Sequence, residues 1–266
     1  MIDNDDLPIG RILSRREVLA LLGFTGSAML LNGCVPIRSS EAVGESQPAI
    51  SAGSGTTILS TPESTNTSSL PACVVRPELT EGPLFVEEAL NRSDIRLDPS
   101  NNQMSDGAQL DLTFRVTAVG ESGCRPLEGV QVDVWHCDAQ GVYSDTNQLG
   151  MNTIGQKFLR GYQLTDANGI AKFTTIYPGW YVGRAVHIHF KMRTEDGYDF
   201  TSQLFFDEAL TSQVYQQPPY ASRGEPAIKL ANDGIYRQSG GQLMLTVETV
   251  ETGYAASFDV GLQLGA

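Results

Sequence analysis

The sequence predicts an all-β protein, an antiparallel β-sandwich with short helices and long loops, over residues 71–266. Three observations carry that expectation. From Gln109 to Val119 the chain alternates strictly, with Leu110, Leu112, Phe114, Val116 and Ala118 set against Asp111, Thr113, Arg115 and Thr117. That period belongs to a strand buried on one face. Further short apolar runs follow, separated by turn dipeptides such as Asn168-Gly169 and Asp196-Gly197. Long helical periodicity is absent.

Residues 1–34 read as an export signal. Ser14-Arg15-Arg16-Glu17-Val18-Leu19 resembles the twin-arginine motif, and a weakly apolar run from Val18 to Leu31 follows. That run is too short for a membrane span. Leu31-Asn32-Gly33-Cys34 resembles a lipobox, in which Cys34 would be lipidated after cleavage. The expected location is periplasmic or cell-surface, with the membrane touched only through that lipid. Residues 35–70 are rich in Ser, Thr, Gly and Pro and read as a flexible tether.

The folded domain is expected to begin near Cys73. Thr80-Glu81-Gly82-Pro83 is a loop, and Val86–Leu90 has the length of one helical turn. After the strand at Gln109–Val119, Val130, Val132 and Val134 alternate into Trp135-His136-Cys137 and stop at the turn Asp138-Ala139-Gln140-Gly141. Further strands are expected at Lys157–Leu164, Ile170–Ile176, Val186–Met192, Ser202–Phe206, Gln242–Val250 and Ser257–Leu264. Asn168-Gly169 predicts a hairpin, and Asp196-Gly197 and Asp233-Gly234 predict turns. Of the four cysteines, Cys73, Cys124 and Cys137 lie in the domain. One disulfide and one buried thiol are expected among them, with the pairing open.

The net charge of −13 leaves no basic stripe for phosphates, so nucleic acid is excluded as a partner. Monomer and homodimer both remain open. The chemistry concentrates in Tyr177–Phe190, which holds two of the three histidines. His187 and His189 stand two apart in a β-branched run and share one strand face, which makes half a metal site. Tyr181 and Arg184 lie just upstream. His136 shares a face with Val132 and Val134 and reads as a core histidine, and Trp135 as core rather than pocket. Phenols are the nearest further ligands. A phenol ionises near pH 10 in water, and a trivalent cation lowers that. Two His with Tyr181 and Tyr143 would give a ferric site.

These residues carry a resemblance. The domain looks like the intradiol ring-cleavage dioxygenases, the catechol and protocatechuate dioxygenase family, and in particular its exported branch. The similar stretches include Thr80-Glu81-Gly82-Pro83, Val134-Trp135-His136-Cys137-Asp138-Ala139, Gly141-Val142-Tyr143-Ser144, Tyr177-Pro178-Gly179-Trp180-Tyr181 and Thr201-Ser202-Gln203-Leu204-Phe205-Phe206. The resemblance implies the sandwich of that family and Fe(III) held by Tyr143, Tyr181, His187 and His189. It implies catalytic roles for Tyr181, as the ligand that leaves and takes a proton, for Arg184, as the cation beside the substrate, and for Gln203. It also implies a small aromatic diol and O2 as substrates, with the ring cut between the hydroxyl-bearing carbons to give a cis,cis-muconate. Only two residues separate Tyr181 from Arg184, where cytoplasmic members carry a longer insertion. That shortening removes one wall of the usual pocket, so the choice among catechols stays open.

Two rivals differ in class. A non-catalytic exported sandwich could serve as a binding module. A cupin-like Fe(II) oxygenase would pair His187 and His189 with a carboxylate such as Glu195.

Overall fold

The computed structural model describes residues 73–121, 123–147 and 150–264. The export signal, Cys34 and the tether lie outside them. Eleven strands form two facing sheets and one small hairpin. The hairpin pairs β1 (Leu97–Asp98) with β2 (Gln103–Met104). The long alternating run is β3 (Gln109–Gly120), and its burial alternates as its sequence does. On one side β3 pairs in parallel with β11 (Gly253–Leu262), which pairs in turn with β10 (Val247–Val250). On the other side it pairs antiparallel with β7 (Ile170–Ile176) and then β4 (Gly123–Pro126). The second sheet runs β6 (Arg160–Leu164), β5 (Gln131–Trp135), β8 (His187–Arg193), β9 (Asp199–Phe205), all antiparallel. The expected sandwich is therefore present, and among the strands of the described residues β3–β11 is the one parallel pair.

Inward residues of both sheets build one core. Leu110, Leu112, Phe114 and Val116 of β3 meet Val132 and Val134 of β5 and Ile188, Phe190 and Met192 of β8. Phe114 spans the two sheets, its ring centroid 5.2 Å from Phe190 and 6.5 Å from Phe258. Burial of such side chains contributes about 1.5–3 kcal/mol each. The consequence for function lies in the period of two. Ile188, Phe190 and Met192 fill the core, so His187 and His189 must project from the opposite face of β8. Both are nevertheless 2% exposed, because the Gly82–Leu84 loop and a second small cluster cover that face.

Several expectations need correction. Val86–Leu90 is not helical. It is irregular, with Ala89 at φ +50°, and only its end reaches the free edge of β6, where the Tyr162 N–H donates to Leu90 O at 2.8 Å and the Arg92 N–H to Tyr162 O at 3.0 Å. Asn168-Gly169 makes a tight turn but not a hairpin, since β6 and β7 belong to different sheets. The turn is pressed onto β3, with the Val116 N–H donating to Gly169 O at 2.7 Å. A Cβ on Gly169 would stand 2.2 Å from Val116 O. Asp196-Gly197 does close a hairpin, β8 to β9. In Gln242–Val250 only Val247–Val250 is a strand, and the segment before it makes a parallel bridge, Phe205 to Met244. Asp233 is the N-cap of helix α2 (Gly234–Gln238), just as Asp207 caps α1 (Glu208–Val214). Cys73 and Cys124 form the disulfide, and Cys137 is the buried thiol.

Candidate active site

The site is assembled from β8 and two loops locked back to back. The first loop leaves β5 and turns at Asp138–Gly141. Asp138 Oδ1 accepts from the N–H groups of Gln140 and Val142 at 2.8 and 2.9 Å, which closes the turn and delivers Tyr143. The second loop is Pro178–Tyr181. Its Gly179 N–H donates to Asp138 O at 3.0 Å, and the Cys137 thiol donates to Gly179 O at 3.3 Å. Glycine is required on both sides of the contact. A Cβ on Gly141 would lie 2.1 Å from Trp180 O, and one on Gly179 would lie 2.3 Å from Asp138 O. Gly141 also has φ +79°, in the left-handed region. These glycines set the distance between the two phenols.

The expected ligands converge. The ring centroids of Tyr143 and Tyr181 are 5.5 Å apart, those of Tyr181 and His187 5.6 Å, and those of His187 and His189 4.7 Å. His187 Nδ1 lies 2.6 Å from Ala185 O, which places its proton there and leaves Nε2 as a lone pair. The two Nε2 atoms are 3.0 Å apart, and Tyr181 Oη is 3.5 Å from that of His187. Trp135 is buried as expected, but in the small cluster with Leu84, Cys137 and Tyr143 rather than in the main core. It stacks on His189 at 4.9 Å and 12° and so fixes the ring plane. His136 is a core histidine, bonded to Cys137 O and to the Thr175 hydroxyl.

Arg184 and Gln203 form the other wall. Arg184 Nη2 donates to Gln203 Oε1 at 2.6 Å, and Gln203 Nε2 donates to Thr80 O at 2.9 Å. Gln203 lies opposite His189 in the β8–β9 register, so strand pairing and site placement coincide. Asp233 is more than the turn residue that the Asp233-Gly234 pair predicts. It is 1% exposed, and its Oδ2 accepts from Arg184 Nε at 2.9 Å and from the Ala185 N–H at 2.8 Å. Burial would raise its pKa, but Arg184 and the backbone donors outweigh burial and hold the carboxyl below its usual value. Its signal in the sequence was the Asp-Gly pair at a helix start, which says nothing of a partner 49 residues away.

Electrostatics prepares these groups for a cation. Burial first, and Arg184 second, push His187 down to about 3, and burial first, with His187 second, holds His189 well below its ordinary value. Both imidazoles are therefore neutral donors at any ordinary pH. Burial pushes Tyr181 up to about 12 against the pull of Arg184, and raises Tyr143 well above its ordinary value. The Tyr143 hydroxyl and His189 Nδ1 have no hydrogen-bond partner among the described residues. If His189 is protonated at Nδ1, two lone pairs face each other at 3.0 Å. If it is protonated at Nε2, its buried Nδ1 is left alone. A cation bound by both Nε2 atoms and the phenol oxygens would remove the clash of lone pairs and give the Tyr143 oxygen a partner, and two phenolates suit a hard trivalent ion. The residues thus fit Fe(III). Among the described residues no group of three or more His, Cys, Asp and Glu side chains is placed to hold a metal ion. Glu195 sits exposed in the β8–β9 turn, so the two-His-one-carboxylate site is not assembled.

Beside the ligands opens a cleft of about 170 Å³ lined by Gly82, Pro83, Leu84, Val182 and Gly183 with Tyr181, Arg184 and His189. A cavity of about 150 Å³ accepts a benzene ring. Two larger clefts, of about 370 and 440 Å³, meet at Asp106 and Pro219. Neither is lined by a histidine, so size does not mark the site here.

Comparison with known proteins agrees with this geometry. A family model described as "Dioxygenase" matches residues 80–217, just over half of the chain. Catechol 1,2-dioxygenase 1 of Acinetobacter lwoffii is 26% identical over 167 residues, covering 56% of this chain and 51% of its own length. The protocatechuate 3,4-dioxygenase beta chain of Burkholderia cepacia is 30% identical over 139 residues, with 47% and 59% covered. The chain thus spans about half the length of the curated relatives it matches. Among solved structures, an intradiol ring-cleavage dioxygenase from Tetranychus urticae superposes with a TM-score of 0.64 at 26% identity, covering 72% of this chain and 95% of that one. The dioxygenase domain of a dioxygenase carbohydrate-binding protein fusion from Streptomyces sp. SirexAA-E gives 0.53 at 27% identity, covering 72% and 100%.

Proposed function

This chain belongs to the intradiol ring-cleavage dioxygenase family, and from that premise we propose that it is an Fe(III)-dependent enzyme that opens the ring of a small catechol with O2. The observation that carries the reading is the convergence of Tyr143, Tyr181, His187 and His189, with the two imidazole Nε2 atoms 3.0 Å apart. A non-catalytic sandwich would gain nothing from a buried, unpartnered phenol.

Tyr143, Tyr181, His187 and His189 would hold the iron. When bound, Fe(III) supplies the Lewis acidity that favours loss of both catechol protons and activates the ring towards O2. The protein's own groups do the rest. His187 and His189 are kept neutral and oriented, one by Ala185 O and the other by Trp135. Tyr143 is fully buried and stays in place. Tyr181 borders the cleft beside Arg184, and its phenolate oxygen accepts a proton from a substrate hydroxyl as the substrate arrives. Arg184 is held rigid by Asp233 and Gln203, so its remaining N–H groups are preorganised for negative charge that develops on the substrate. Leu84 and Pro83 shield one side of the ring from water.

Iron analysis, the visible spectrum and oxygen uptake with catechol test the proposal. The purified protein should be red-brown from tyrosinate-to-iron charge transfer. It should consume O2 and release a ring-opened dicarboxylic acid carrying both oxygen atoms. A pale, iron-free protein that cannot be loaded with Fe(III), or loaded protein inert to catechols, rejects it.

A further inference from the structure

The one cation of the cleft is not free. Arg184 gives Nε to Asp233 and Nη2 to Gln203 and lies against Tyr181. Asp233 comes from the N-terminus of α2, outside the residues matched by the family model. Its two oxygens are both used. Oδ1 accepts from the N–H groups of Ile235 and Tyr236, and Oδ2 from Arg184 and Ala185. The Ala185 carbonyl in turn accepts from His187 Nδ1. One fully buried carboxylate thereby fixes both Arg184 and the backbone that orients His187. The rest of the cleft mouth is uncharged, with Pro83 and Gly183 exposed and Val182 81% exposed. Nearby Lys191 is already paired with Glu81 and Asp199.

Resting on the dioxygenase reading, we propose that Asp233 is a specificity-determining positioning residue. By pairing with Arg184 it leaves that side chain with directed N–H groups but a balanced charge, so the site selects catechols with hydrogen or an uncharged apolar substituent over catechols that carry a carboxylate. A substrate carboxylate brought to this mouth loses water and meets no uncommitted cation. A methyl group meets Pro83 and Val182 and loses nothing.

The test compares kcat/KM for catechol, 4-methylcatechol and 3,4-dihydroxybenzoate in the iron-loaded wild type and in Asp233→Asn and Val182→Arg. Asparagine is as good an N-cap as aspartate, so with its one oxygen on the Ile235 and Tyr236 N–H groups α2 keeps its start, while Nδ2 takes the place of Oδ2 and Arg184 loses both its counter-charge and that acceptor. The wild type should favour the two neutral substrates by about tenfold or more. Asp233→Asn should move the ratio towards the carboxylated substrate by about tenfold, whatever it does to the absolute rates. Val182→Arg supplies a free cation at an exposed position and should move the ratio the same way, which keeps the test open if the first variant folds poorly. A purely structural Asp233 would lower all three rates together and leave the ratio unmoved. A wild type that prefers the carboxylate, or a ratio unmoved in folded Asp233→Asn, overturns the inference while the dioxygenase reading stands; if Asp233→Asn does not fold, a ratio unmoved in Val182→Arg overturns it. Absence of turnover with all three substrates removes that reading, and this inference with it.

Discussion

At the scale of single residues, the two tyrosines have the same chemistry but different surroundings. Tyr143 is 0% exposed with an unpartnered hydroxyl, whereas Tyr181 reaches the cleft. Tyr181→Phe should therefore retain iron and bind catechol, yet turn over about 10²–10⁴-fold more slowly for want of a positioned base. Rapid-mixing absorbance reads both steps, and wild-type turnover in this variant would show that Tyr181 is not the proton acceptor. Tyr143→Phe should lose iron and colour. Without iron it should be no less stable than iron-free wild type in urea, because an unsatisfied buried hydroxyl costs about 1–3 kcal/mol. His136 carries a pH signature. Burial pushes its pKa down from 6.5 to about 4, so the unfolded chain binds more protons between those values. Stability from this group is complete above the unfolded pKa and is lost as pH falls towards the folded one, by about 3 kcal/mol. His136→Asn should be destabilised at pH 7 but lose less further stability, by about that amount, as the pH falls to 4 in urea titrations. The ligands were legible because their spacing is local: H-x-H on one strand, and each tyrosine next to a glycine turn. Asp233 was not, because its partner is fixed only when the start of α2 meets the segment that leads into β8.

At the scale of elements, alternation was enough to find strands but not to assign them to sheets. Ile170–Ile176 and Gln109–Val119 are strands over their full predicted lengths, the second running one residue further, to Gly120. Yet the turn before Ile170 joins two sheets instead of two neighbours, because Gly169 packs against Val116 rather than letting β7 fold back on β6. Val86–Leu90 has helical composition and is still irregular, with Ala89 in the left-handed region and Leu90 O accepting from Tyr162 on the open edge of β6. The helices α1 and α2 are too short for periodicity to register, and only their aspartate caps announce them. The same reasoning gives a prediction for the paired loops. Gly179→Ala asks Asp138 O to move, so the loops must part and the phenols with them. The cost should be about 1–3 kcal/mol in urea unfolding, with loss of the iron colour. Gly129 has φ +78° and open space around it, so Gly129→Ala should cost about 1 kcal/mol from its backbone alone and keep the colour. Intact iron colour in Gly179→Ala would mean that the loop contact does not set the site.

At the scale of the whole molecule, the disulfide bears on where the protein works. Cys73 and Cys124 close a separation of 51 residues and tie the start of the described domain to β4. A link of that span contributes about 4 kcal/mol by the chain-entropy relation, worth about 10 °C in Tm for a domain of this size. Disulfides persist in oxidising compartments. This supports the proposal, drawn from Arg15-Arg16 and the weakly apolar run behind them, that the chain is exported. The twin-arginine route carries folded proteins, so the sandwich must fold before the disulfide forms. The large aromatic core around Phe114 makes that reasonable, since it does not depend on the Cys73 segment. Replacing Arg15 and Arg16 with Lys should hold the protein in the cytoplasm. Alkylation under denaturing conditions should then modify Cys73, Cys124 and Cys137 in the retained form, but within the domain only Cys137 in the exported one. The retained form should also melt about 10 °C lower. Unchanged export of the double variant would reject the signal. A retained protein whose Cys73 and Cys124 are already joined would show that the disulfide forms without leaving the cytoplasm, and would take away its support for the export proposal.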